Sequence, residues 1–159
     1  MSDFRPCLLI PVYNHGTLFE ATWQRLRALN LPCIVIDDGS DTSTATVLNT
    51  LADNEPLITL LRLSHNSGKG AAVLRGIAKA QQLDYTHALQ IDADGQHSSD
   101  DIPDMLALAE KNPTALISGA PQYGPDIPKA RLYGRYITHF WVWIETLSFK
   151  PCSYNSLSR

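Results

Sequence analysis

The chain has few cysteines, no long apolar run and no excess of positive charge, and each shortage removes a class of protein. Its three cysteines, Cys7, Cys33 and Cys152, form no CxxC pair and are odd in number. That pattern supplies no disulfide framework and points to a reducing compartment. Cys7 and Cys33 stand inside apolar runs, where a free thiol behaves as a small buried hydrophobe. No apolar stretch approaches the roughly 20 residues that span a bilayer. The run after Arg5 stops at Pro11, too soon for a secretory leader, so a cytoplasmic location is expected. A net charge of -3 over 159 residues offers no basic footprint, and no nucleic-acid partner is expected. The charge is uneven, however. Residues 1–120 carry 8 basic and 14 acidic side chains, whereas residues 121–159 carry 5 and 2.

What is present is an alternation of short apolar runs with helical periods. Cys7–Val12, Cys33–Ile36, Ile58–Leu63, His87–Ile91 and Ala115–Ser118 read as strands. Gly16–Leu29, Thr42–Leu51 and Ala71–Gln82 carry apolar residues at helical spacing, although the threonines of the second weaken it. A fourth helix follows Ser98 or Ser99 as cap, with Asp100 and Asp101 in its first turn. Strands alternating with helices, without hairpin dipeptides between them, predict an α/β fold with a mainly parallel sheet and helices on both faces. In such sheets ligands bind beyond the carboxyl ends of the strands. The polar residues cluster there: Tyr13, Asn14 and His15; Asp37 and Asp38; Asn66 to Gly70; then Asp92, Asp94 and Gln96.

The stretch Leu89-Gln-Ile-Asp-Ala-Asp-Gly-Gln-His97 reads as a buried apolar run that delivers Asp92 and Asp94 to a strand end. Two such carboxylates can share one Mg²⁺-type ion whose other positions go to phosphate oxygens and water. The alternative is an ordinary Asp-Gly turn. Asp37 and Asp38 have a similar alternative, a solvated turn with Asp41 capping the next helix. Asn66-Ser-Gly-Lys-Gly70 lacks the full GxxxxGK[ST] spacing, since Ala71 stands where the hydroxyl belongs, and an ATPase is rejected. Gly68 and Gly70 suit a tight turn and close helix packing. His15 and His97 have no second ligand at zinc spacing. A nucleotidyltransferase would carry a Gly-rich signature near the first strand, where Pro11-Val-Tyr-Asn14 stands instead.

Four motifs occur in order: Pro11-Val-Tyr-Asn14, Asp37-Asp-Gly-Ser40, Asn66-Ser-Gly-Lys-Gly70 and Asp92-Ala-Asp-Gly-Gln-His97. Together they resemble glycosyltransferase family 2 on a Rossmann-like GT-A fold, nearest its dolichyl-phosphate-mannose-synthase-like bacterial branch. The resemblance implies a UDP- or GDP-linked sugar donor, with Pro11 and Tyr13 bordering the base and Asp37 hydrogen-bonding it, Asp38 adjoining. It implies that Asp92, Ala93 and Asp94 line the ribose and diphosphate, that Asp92 and Asp94 hold Mg²⁺ or Mn²⁺, and that Gln96 lies beside the sugar. Lys69 is a candidate for the diphosphate, a solvated lysine being the alternative. Members of this type usually invert at the anomeric carbon, with an Asp or Glu base.

The sequence also departs from the family. Where related synthases commonly read Ser-Gly-Thr-Arg, this chain has Ser118-Gly-Ala-Pro121, and Arg131 or Arg135 is the candidate replacement for the missing charge. The expected organisation is a donor-binding domain over residues 1–120, the start of an acceptor region with an aromatic helix over 121–149, and a polar tail over 150–159. The tail resembles a truncation, which would leave the catalytic base in an absent half. The aromatic segment, flanked by Lys129, Arg131, Arg135 and Lys150, suits either packing beneath that half or peripheral contact with a membrane. The acceptor implied is a lipid phosphate or a cell-envelope glycan. The competing reading is a catalytically inactive nucleotide-binding module.

Overall fold

The computed structural model describes residues 4–95 and 99–119. Four strands form one sheet: β1 (Pro6–Val12), β2 (Cys33–Asp37), β3 (Ile58–Arg62) and β4 (His87–Gln90). Their order is β3-β2-β1-β4 and every pairing is parallel. The connections are α1 (Gly16–Leu26), extended by a 3-10 turn over Arg27–Leu29, then α2 (Thr42–Asn54) and α3 (Lys69–Gln82). A 3-10 turn at Ser99–Asp101 leads into α4 (Ile102–Lys111).

Side chains alternate across a strand, and β1 and β2 use both faces. Leu8, Ile10, Val12, Cys33 and Val35 meet Phe19, Trp23 and Leu26 of α1, Leu48 and Leu51 of α2 and Ile102 of α4. Cys7, Leu9, Ile34 and Ile36 meet Ala72 and Ala80 of α3 on the opposite face. Phe19 and Trp23 are fully buried, and burial of such a side chain contributes about 1.5–3 kcal/mol. The helices therefore cover both faces, as the alternation of elements predicts.

The helix boundaries have local causes. Asp41 accepts from the Thr44 N–H at 2.8 Å and caps α2. The threonines of α2 do not stop it, because Thr46 and Thr50 hydroxyls donate to carbonyls one turn back. Asp100 and Asp101 lie in the 3-10 turn before α4 and not in its first turn. Pro103 in the first turn of α4 explains the later start, since proline suits that position and no interior one. Gly70 has open space around it, whereas a Cβ on Gly76 would meet Ile36 and Leu9 side chains within 3 Å. The close packing expected of Gly70 thus belongs to Gly76.

Two strand expectations need correction. Ala115–Ser118 is not a strand: the Ala115 N–H is taken by the Asn112 carbonyl in a turn, and Leu116 is 87% exposed. Three apolar residues between a turn and Gly119 find no ladder among the described residues. Nor is β4 buried throughout. Ala88 and Gln90 are exposed, because they share the face of Cys7 and Leu9, and α3 covers that face mainly over β1 and β2. Ile91, just past the strand, is buried.

Burial raises the Cys7 thiol from 9.0 to about 11. It raises Cys33 further, with the neighbouring Cys7 adding to the effect. Alkylation mapped by mass spectrometry should leave both thiols unlabelled in the native chain near about pH 8 and label both in denaturant. The folded state holds the Cys7 proton more tightly than the unfolded chain. Its contribution to stability is therefore full below pH 9.0 and lost as pH rises through about 11, which urea midpoints across that window would register.

Candidate active site

The sheet opens beside Pro11. In a parallel strand successive residues direct their backbone groups to alternate neighbours. The Leu9 carbonyl accepts from Ile91 of the β4 side, and the Val12 carbonyl accepts from Asp38 of the β2 side. Pro11 therefore faces β4, beyond the last pair Leu9↔Gln90. A proline in a central strand removes a ladder hydrogen bond, and here the missing N–H falls past the last pair of β1 with β4. From β1 the sheet is built out to β2 and β3 on one side and to β4 on the other, and such a reversal is the switch point at which these folds bind ligands.

A cleft of about 400 Å³ occupies the opening. Pro11, Val12, Tyr13 and His15 line it from β1, and Asp38 from the end of β2. Asn66, Gly68 and Lys69 come from the loop after β3, and Asp92, Ala93 and Asp94 from beyond β4. Seven of the nine residues expected at a donor site thus share one cavity: Pro11, Tyr13, Asp38, Lys69, Asp92, Ala93 and Asp94. Gln96 and His97 lie outside the described residues, as do Arg131, Arg135 and the segments from 120 to 159.

Asp37 is not brought to the cleft. It is fully buried, accepts from the Ser40 N–H at 2.9 Å and is paired with Arg62 Nε at 2.8 Å. Neither acid forms a solvated turn. Asp38 is 3% exposed, and its two oxygens accept from the Ser67 and Gly68 N–H groups at 2.8 and 2.9 Å. That carboxylate pins the loop after β3 against the end of β2. Gly39 permits the approach: its φ is +69°, and a Cβ there would lie 2.4–2.6 Å from backbone atoms of His65 and Asn66. Asn14, itself at φ 54°, ties the first loop to the second. Its N–H donates to Ser40 Oγ and its side-chain oxygen accepts from the Asp41 N–H.

The turn carrying the acids is gripped from α1, by two residues that no sequence motif marks. Thr22 Oγ1 donates to the Ala93 carbonyl at 2.9 Å, a buried contact across 71 residues. One helical turn on, Arg25 Nη2 donates to the Gly95 carbonyl at 3.2 Å. Gly95 has φ +67°, and a Cβ there would collide with Arg25 and the Thr22 hydroxyl. Only the alternation of Thr22 with apolar positions on α1 could have hinted at an inward-facing hydroxyl.

Lys69 reaches across the cleft, its Nζ 2.6 Å from Asp92 Oδ1. Asp94 is exposed at the rim. No group of three or more His, Cys, Asp or Glu side chains gathers to hold a metal among the described residues. A pair of carboxylates on one turn fits Mg²⁺ or Mn²⁺, which take one or two carboxylates and complete their shell with phosphate and water. It does not fit zinc, which wants three or four protein ligands.

The model of glycosyl transferase family 2 matches residues 7–153. The chain belongs to that family. Membership and the parallel sheet with helices on both faces agree in a Rossmann-like GT-A fold. A dolichyl-phosphate beta-glucosyltransferase of Dictyostelium discoideum is 33% identical over 126 residues, 74% of this chain and 38% of the relative. An undecaprenyl-phosphate mannosyltransferase of Micrococcus luteus is 29% identical over 104 residues, 64% of this chain and 43% of the relative. A solved mannosyltransferase from Pyrobaculum calidifontis, in complex with GDP-Man and Mn²⁺, is 21% identical. It has a TM-score of 0.46 over 57% of this chain and 27% of its own. This family 2 chain spans less than half the length of each of the three.

Removing the Thr22 hydroxyl should strand the buried Ala93 carbonyl. Thr22→Val is expected to lose about 1–2 kcal/mol in urea unfolding with an unchanged slope. Thr22→Ser should retain most of the native midpoint.

Proposed function

We infer that this chain is the donor-binding part of a glycosyltransferase that moves a sugar from a nucleoside diphosphate to a lipid phosphate. The observation that carries the reading is the convergence of four strand ends on one cleft, with a carboxylate pair at one wall and a lysine reaching towards it. Tyr13 and Pro11 offer an apolar wall for a base. Asp38, which lines the cleft, is better placed than Asp37 to meet that base. Asp92 and Asp94 would hold Mg²⁺ or Mn²⁺ against the diphosphate. A divalent ion bound there would stabilise the negative charge that develops on the leaving phosphate.

In the transfer the acceptor oxygen forms a bond to the anomeric carbon. The bond from that carbon to the β-phosphate oxygen breaks, and the nucleoside diphosphate leaves with the electron pair. A single displacement of this kind inverts the anomeric centre. The relatives named for dolichyl and undecaprenyl phosphates support a lipid-phosphate acceptor. That acceptor class also suits the chemistry of the site. A phosphate monoester is largely ionised near neutral pH, its second pKa being about 6, so the nucleophile needs little help from a general base. A lipid acceptor would bring the protein to a membrane surface. No helix among the described residues is long and apolar enough to cross one.

Calorimetric titration of UDP and of GDP, with and without Mn²⁺, tests the reading. One nucleotide should bind in a Mn²⁺-dependent way, and Asp94→Ala should weaken it on the order of tenfold or more, the scale of losing a charged ligand. A folded chain that binds neither nucleotide would refute the donor site. Asp37→Asn separates the two adjacent acids. It should lower the unfolding midpoint while leaving the nucleotide affinity of the folded chain within about twofold, because Asp37 is buried against Arg62 and does not line the cleft.

A further inference from the structure

We propose that Lys69 is a resident counter-ion that keeps Asp92 from binding a divalent cation until a diphosphate arrives, so that ion and nucleotide enter the cleft as one unit. The inference rests on the donor-site reading and concerns the order in which that site fills. The ammonium lies 2.6 Å from Asp92 Oδ1, within the same cleft. It engages one oxygen of the carboxylate that a metal ion would use. A second positive charge placed beside Lys69 would also repel it, and in a partly screened cleft that repulsion is not negligible.

The pair is built to exchange. Its side chains are 56% and 36% exposed, the range in which an ion pair contributes little and is readily traded for another partner. The backbone beneath Lys69 is fixed, because Asp38 binds the Ser67 and Gly68 N–H groups immediately before it. Only the four-carbon stem moves, and lysine is the residue whose compact charge travels on such a stem. Lys69 also opens α3, where the unpaired N–H groups of a first turn favour an anion nearby. A diphosphate therefore offers the ammonium a second acceptor close to its first. When Lys69 turns to the phosphates, it yields Asp92 Oδ1 to the ion, and the same phosphates complete the ion's shell.

A lysine that merely braced the turn would weaken the site in every condition when removed. A counter-ion gives effects of opposite sign. Mn²⁺ is titrated into the full chain, with free ion followed by its paramagnetic resonance signal at low ionic strength, first alone and then with UDP or GDP. Lys69→Met should bind Mn²⁺ alone about two- to fivefold more tightly than the native chain, the scale of an exposed ion pair. With nucleotide present it should bind more weakly than the native chain. Lys69→Arg, which keeps the charge, should restore the native order of affinities. Unchanged or weaker Mn²⁺ binding by Lys69→Met without nucleotide would overturn the proposal. Asp94→Ala, run in parallel, separates the two readings. Loss of Mn²⁺ and nucleotide in that variant beside an unaltered Lys69→Met removes only the counter-ion role. If Asp94→Ala changes nothing in either condition, the donor site itself fails and the counter-ion role with it.

Discussion

The position of β1 between β2 and β4 is the constraint on which the rest depends. β2 and β4 are led away to opposite sides of one central strand, so the carboxyl end of β1 must border a gap. Pro11 sits on the side of that gap, past the last pair of β1 with β4. The Cys7 to Ile10 run buries both faces of β1, and this burial makes the strand central. Core packing and cleft formation are thus one event. Any substitution that shifted β1 by a residue would exchange its two buried faces and misplace Tyr13 and His15 together.

Around that gap most polar groups of the motifs are spent on one another. Asn14 joins the first loop to the second, and Asp38 joins the second to the third. Asp37 ties β2 to Arg62 at the end of β3. Charge enters the cleft on supports that already have their hydrogen bonds, so the loops can hold an ordered rim without a ligand. The acid turn is the exception in its support. Its carbonyls are gripped from α1 across the gap, and Gly95 accepts a left-handed backbone to make room for the grip.

Much of this was legible in the sequence, for physical reasons that also mark the limits. Four apolar runs of four to six residues, each ended by turn formers, became the four strands. The parallel order followed from the helices between them. Ala115–Ser118 has a comparable composition but no ladder among the described residues, and pairing is a tertiary fact that a short run does not encode. Gln90 sat in a run read as buried, yet burial of a strand face depends on which strands the covering helix reaches. The family resemblance assigned the base contact to Asp37, but neighbours in a strand point to opposite sides, and the register of β2 turns Asp38 to the cleft instead. Arg25 gave no signal and Thr22 only its place on the apolar side of α1, since their partners are backbone carbonyls some 70 residues away.

The same distinction bears on what a family motif means. Within Asp37-Asp-Gly-Ser40, the first acid is fully buried and ion-paired, the second clips a loop while lining the cleft, and the glycine makes room for that loop. One short motif therefore combines a buried ion pair, a loop clip that also lines the cleft and a glycine that gives the loop room. Lys69 and Asp92 differ in kind, because their ion pair is exposed and exchangeable while the backbone beneath Lys69 is not. Rigid backbone with replaceable charge is the arrangement a site needs if its ligand is itself a cation and an anion together. It permits the charges to change partners without moving the walls, and it places the energetic cost of filling the cleft on side chains and not on the fold.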